Sequence, residues 1–110
     1  MLIYKITNKI NNKCYIGQTI KNAEERWAEH QQHAFGTHKN DQNKALYQAI
    51  RKYGLENFSF EILQDNITNF EDLDKAEIYW INYYNSFING YNSTQGGQAY
   101  HSYLPNEEII

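Results

Sequence analysis

Leu2, Tyr4 and Ile6 alternate with Ile3, Lys5 and Thr7 at the start of the chain, a period of two that predicts a strand. Cys14 to Gln18 reads as its partner across a turn rich in Asn and Lys, so a β-hairpin opens the domain. An even number of loop residues makes paired positions sum to an odd number, which places Tyr4 and Tyr15 on one face of the sheet. Asn22 with Glu25 three residues on fits an N-cap and starts a helix running to about Phe35, with Ala23, Trp27 and Ala34 as its apolar stripe. At about 100° per residue, Arg26, His30 and His33 fall in a sector beside that stripe, which predicts positions at the rim of the buried face. A second helix is predicted near Asn43 to Tyr53, where Leu46, Ala49, Ile50 and Tyr53 recur at helical spacing and Gly54 supplies a left-handed stop; it reads as scaffold. Phe58, Phe60 and Ile62 alternate with Ser59, Glu61 and Leu63 as a third strand. Asn69 with Asp72 caps a third helix whose stripe is Leu73, Ala76, Trp80, Ile81 and Tyr84, and Glu77 falls within that stripe.

The order β-β-α-α-β-α is too irregular for a wound parallel sheet and predicts an α+β domain, a small three-stranded antiparallel sheet flanked by helices. A chain of 110 residues is one domain with room for a core and no internal repeat. The small, polar stretch from Ser93 to Gln98 marks where the core ends, so residues 1–97 are expected to be the domain and 98–110 a tail or the start of a linker. A separate DNA-recognition segment would then lie beyond Ile110. The single Cys14 cannot form an internal disulfide, and no basic region followed by a long apolar run opens the chain, so a cytoplasmic, membrane-free protein is expected.

The net charge of −3 argues against a nucleic-acid binder until its distribution is read. Residues 1–54 hold nine of the ten Lys and Arg against four acids, a net +5, whereas residues 55–110 hold only Lys75 against nine acids, a net −8. The basic half thus carries Tyr4, Tyr15, Arg26 and His30, which suits a phosphate-facing side. Glu77 on an apolar stripe needs a partner: a Tyr, Arg or His as a satisfied buried acid, or a metal at a cleft. His33 and His38 read as surface histidines, because one distant cysteine and no paired-ligand spacing give no zinc site. The 10 tyrosines at strand and helix periodicity read as core rather than as stacking platforms for bases.

Five segments, Leu2-Ile3-Tyr4, Tyr15-Ile16-Gly17, Arg26-Trp27 with His30, Glu77, and Asn89-Gly90-Tyr91-Asn92, come in the order and spacing of the GIY-YIG nuclease superfamily. The chain resembles that family over roughly residues 2–97, and most resembles the catalytic domain of phage intron-encoded homing endonucleases. Leu2 stands where the family has glycine, a change expected to alter packing more than chemistry. The resemblance implies a metal-dependent DNA endonuclease that hydrolyses phosphodiester bonds in double-stranded DNA. In it Glu77 would hold Mg²⁺ or Mn²⁺, with waters and substrate phosphate completing the shell. It further implies that Tyr4, aided by His30, takes the proton of the attacking water. Tyr15 would position the phosphate, Arg26 would stabilise its equatorial oxygens and Asn92 would brace the site. A tyrosine acting as base near neutral pH requires a neighbouring cation, for which Arg26 and the metal are the candidates, since a free phenol titrates near ~10. A restriction or repair nuclease of the same superfamily shares these residues, and a non-catalytic DNA-binding module is the alternative of a different class. The oligomeric state is left open, with a monomer as the simplest case, and a bacterial or phage-infected cell is the expected setting.

Overall fold

In the computed structural model the described residues are 1–36 and 44–97. They form β1 (Leu2–Asn8), β2 (Cys14–Thr19), α1 (Ala23–Phe35), α2 (Lys44–Tyr53), β3 (Phe58–Gln64) and α3 (Phe70–Tyr84), with a 3₁₀ turn at Leu55–Asn57. The expected order and the three-stranded antiparallel sheet are both present, with β1 central between β2 and β3. Asn43, His38 and residues 98–110 lie outside the described residues. No helix among the described residues is long and apolar enough to cross a membrane.

The hairpin register follows from its turn. Asn8 N–H donates to the Lys13 carbonyl at 2.9 Å and Asn12 takes a left-handed φ of 63°. The side chains of Asn8 and Asn11 accept from the N–H groups two residues on, at 3.0 Å each, which is why asparagine crowds this turn. Four residues therefore separate the Asn8–Lys13 pair. Tyr4 opposes Gly17 and Ile6 opposes Tyr15, so the two phenols share a face as the even loop requires.

Each sheet face has its own cover. Leu2, Tyr4 and Ile6 pack under α1 and α2 with Ala34, Leu46, Tyr47, Ala49 and Ile50. Ile3, Cys14 and Ile16 pack under α3 with Leu73, Ala76 and Ile81. Leu2, at the family's glycine position, is buried in the first of these cores, so its side chain acts in packing. Both long caps are made by asparagine: the Asn22 side chain accepts from Glu25 N–H and that of Asn69 from Asp72 N–H, each at 2.8 Å. Gly54 has the expected positive φ, but with ψ of 139° it leads into the 3₁₀ turn instead of a left-handed cap.

The rim expected for His30 and His33 is not where they lie. His30 is fully buried and His33 half-buried. Angular position on α1 put them beside the stripe, but α2 packs on that flank and covers it. His33 is accordingly no surface histidine: its ring stacks on Tyr47 at 6.0 Å and its Nδ1 is buried without a hydrogen-bond partner.

Candidate active site

The hairpin, α1 and α2 bring five side chains, Tyr4, Tyr15, Arg26, His30 and Tyr47, to one face of the sheet. Tyr4 Oη lies 2.6 Å from His30 Nε2 and accepts from Arg26 Nε at 3.1 Å. His30 Nδ1 lies 3.0 Å from Tyr47 Oη. An arginine can only donate, so the Tyr4 oxygen accepts from Arg26, and the imidazole tautomer of His30 sets the sense of its contacts with Tyr4 and Tyr47. The Tyr15 ring stands 6.2 Å from Tyr4 and edge-on to His30 at 5.6 Å. Phe60 of β3 stacks on Tyr4 at 4.9 Å and is itself met by the tilted Trp27 ring at 5.3 Å, while Arg26 and His30 hold Tyr4 from α1.

Close approach at this point depends on a glycine. Gly17 sits opposite Tyr4 on the neighbouring strand, and a methyl group there would fall on Tyr4 Cζ and Oη. The Tyr4 ring lies across the space that Gly17 leaves open.

Burial sets the protonation states. It drives the Tyr4 pKa well above its ordinary value, with Tyr15 adding to the rise, against the opposing pull of Arg26. Tyr15 is likewise pushed up to about 12, by burial first, with Arg26 opposing and Glu77 adding to the rise. His30 is pulled down to about 3, chiefly by burial and further by Arg26 and His33. In the free protein the cluster is thus a neutral phenol on a neutral imidazole, and Arg26 alone does not make Tyr4 a phenolate at neutral pH.

Glu77 stands on the helix that covers the other face of the sheet. There α3 is packed largely on the edge strand β2, and the half-buried carboxylate bears on Tyr15 through its charge. The near ion-pair partner of Arg26 is Glu29, at 3.7 Å, which Lys21 also holds at 2.9 Å. Burial raises Glu77 to about 6, the Gly97 N–H that donates to Oε1 at 3.0 Å lowers it, and Asp74 adds to the rise. Asn92 acts on backbone: its amide accepts from Ile16 N–H and donates to the Ile16 carbonyl, both at 2.8 Å, closing two groups on the outer edge of β2. Both of its amide hydrogen bonds are thus to the backbone of the strand that carries Tyr15.

Residues 1–92 match the GIY-YIG catalytic domain family. The chain belongs to the GIY-YIG nuclease family. Among its relatives, the putative endonuclease segB of Enterobacteria phage T4 is 36% identical over 89 residues, 69% of this chain and 35% of that protein. Intron-associated endonuclease 1 of the same phage is 33% identical over 111 residues, 98% of this chain and 43% of that protein. The chain thus spans less than half the length of these relatives. The solved catalytic domain of homing endonuclease I-TevI superposes with a TM-score of 0.71 at 30% identity, covering 84% of this chain and 96% of that one. A glutamate-to-alanine mutant of the same catalytic domain gives a TM-score of 0.72 at 30% identity, covering 86% and 93%.

Two parts of the site escaped sequence reasoning. Tyr47, 2% exposed, belongs to the cluster, so α2 is more than scaffold; the only trace in sequence is an aromatic widening the Leu46 stripe. Gly96 and Gly97, taken for the fading end of the core, both have positive φ and sit against α3 at Glu77, Ile78 and Ile81. The doubled glycine was the signal, because only glycine adopts that backbone so close to another element.

Proposed function

We propose that this chain is the catalytic domain of a divalent-metal-dependent endonuclease of the homing type, hydrolysing phosphodiester bonds of double-stranded DNA. One observation carries the reading: a phenol, Tyr4, is held between a guanidinium and an imidazole beside the ring of a second phenol, Tyr15. Arg26 is fixed through Nε while its outer N–H groups face only the loose pair with Glu29, which a phosphate oxygen displaces readily. Tyr15 orients the same phosphate.

Glu77 fits a divalent cation. Burial raises its pKa to about 6, and no Lys, Arg or His among the described residues pairs with it, so a bound cation would stabilise the charged form and lower that pKa. No three His, Cys, Asp or Glu converge among the described residues, and Mg²⁺ or Mn²⁺ would take this one carboxylate with waters and phosphate oxygens. When bound, the cation supplies positive charge at the phosphate and lowers the pKa of water.

The attacking water delivers its proton to Tyr4 Oη as the phenol passes its own to His30 Nε2. The incoming phosphate favours this transfer, since negative charge nearby stabilises an imidazolium. The water oxygen forms the new bond to phosphorus as the bond to the departing sugar oxygen breaks, and Arg26 stabilises the charge on the equatorial oxygens.

Supercoiled plasmid incubated with Mg²⁺ or Mn²⁺ is expected to be nicked or linearised, and chelator to stop the reaction. Arg26→Ala and Glu77→Ala are each expected to slow it on the order of 10² to 10³-fold with the fold retained. Cutting that persists in chelator, or at the wild-type rate in either variant, would refute the assignment.

A further inference from the structure

A second feature lies on the sheet face that carries Tyr4. Between the hairpin turn, α2 and the Gly90–Tyr91 segment runs a groove of about 350 Å³ whose walls include Asn11, Lys13, Gln48, Lys52, Tyr53 and Tyr91. It has two lysines and no acid in its lining. Lys13, Lys52, Asn11 and Gln48 are exposed, and the Lys52 ammonium sits 5.2 Å over the Tyr53 ring.

The pairing of cations singles this groove out. Among the described side chains, Lys5, Lys21, Arg26 and Lys75 each lie within 4 Å of a carboxylate, and Arg51 donates to the Ala34 carbonyl at 2.8 Å. Lys13 and Lys52, with Lys9 at the adjoining turn, have no carboxylate partner among the described residues. The turn that carries Lys13 is anchored, because the Tyr91 phenol accepts from Asn8 Nδ2 at 3.1 Å and from Asn11 Nδ2 at 3.4 Å.

Position relates the groove to the site. Lys13 precedes Tyr15 by two residues, in the turn that leads into β2, about 7 Å of extended chain away. Lys52 follows Tyr47 by five residues on α2, a rise of about 7.5 Å. Both lysines line the one groove, and separations of about 7 Å correspond to about two base steps at 3.4 Å per nucleotide.

We propose that Lys13 and Lys52 form a non-cleaving subsite for a DNA backbone phosphate about two nucleotides from the scissile one, an inference that rests on reading the neighbouring cluster as a nuclease site. The unpaired ammonium groups neutralise a passing phosphodiester, while Asn11 and Gln48 donate to its oxygens. Contacts of this kind fix register on the duplex and carry no sequence preference.

The test compares the 110-residue chain with the Lys13→Gln/Lys52→Gln double variant, with Lys75→Gln as a control on an already paired lysine. Each binds a short fluorescent duplex in chelator, so that nothing is cut. Losing that one phosphate contact lowers the salt slope by about 0.9, so between about 50 and 200 mM salt the wild type should lose about 3.5-fold more affinity than the double variant. Lys75→Gln should keep the wild-type slope. With metal, the double variant should cleave at the wild-type rate under saturating DNA but need several-fold more DNA to reach it. Equal slopes for wild type and double variant, or no DNA binding by the wild type, would overturn the subsite. Should Arg26→Ala silence cutting while the slopes stay equal, the subsite fails and the nuclease reading stands. Should the slope fall in a protein that never cuts, the nuclease reading fails and the phosphate groove stands.

Discussion

Gly17→Ala isolates the contact on which the cluster depends. Gly17 is absent from the glycines with positive φ, so its backbone accepts alanine, and in an open strand that change would stabilise by roughly 0.5–1 kcal/mol. Here the new methyl meets Tyr4 Cζ and Oη and comes within 2.9 Å of Cε1. Tyr4 has nowhere to go: it is 0% exposed, stacked on Phe60, and tied through Oη to His30 and Arg26. Overpacking of this kind costs about 1–3 kcal/mol, and displacing the phenol from a charged donor adds about 1.5 kcal/mol or more. A loss of about 2–4 kcal/mol leaves a domain of ordinary stability folded. The reacting group, however, moves by about 1 Å, which costs on the order of 10² in rate. Denaturant unfolding measures the first quantity and single-turnover nicking the second. A cycle with Tyr4→Leu gives the decisive number, because Gly17→Ala should then cost about 1–3 kcal/mol less than in the wild-type background. Wild-type stability and nicking in Gly17→Ala, or an equal cost in both backgrounds, would show that the Tyr4 ring does not rest on Gly17.

Asn92→Ala exposes the Ile16 N–H and carbonyl on the edge of β2; stability should fall by about 1–3 kcal/mol, and hydrogen exchange at the Ile16 amide should speed up with it. Acid stability has two opposed parts. His30 titrates at 6.5 when unfolded and at about 3 when folded, so stability falls by about 1.4 kcal/mol per unit as pH drops from 6.5 towards 3. Glu77 titrates at 4.5 when unfolded and at about 6 when folded, so its cost of about 2 kcal/mol is present above pH 6 and is relieved as pH falls to 4.5. The two nearly cancel from pH 6 to 4.5, and net acid destabilisation should set in below that. In Glu77→Gln, denaturant midpoints should instead decline from about pH 6.5 downward; a midpoint profile matching wild type would contradict these assignments.

The local elements were legible because their causes are local. Alternation at Leu2, Tyr4 and Ile6, the Asn22 and Asn69 caps, and the helical stripes each depend on residues within a few positions of one another. The shared face of Tyr4 and Tyr15 was also legible, because a hairpin with an even loop fixes register by counting. Order and spacing of the motif residues carried the family as well.

What remained hidden depends on which element covers which. Angular arithmetic placed His30 at a rim, and only the packing of α2 against α1 turned that rim into core, with Tyr47 as the partner of the imidazole. The same burial decided that Tyr4 and His30 are neutral, a state no sequence pattern encodes because desolvation comes from the whole surroundings. Glu77 was visible as an acid on an apolar stripe, but not that α3 lies across the sheet from the tyrosines, nor that Gly97 returns to hold its carboxylate. Elements and their order follow from periodicity, capping and turn length, which act along the chain, and the family follows from the order and spacing of the motif residues. Which groups lose water and which meet follows from the packing of neighbours far apart in sequence, and burial and distance exist only once those neighbours are in place.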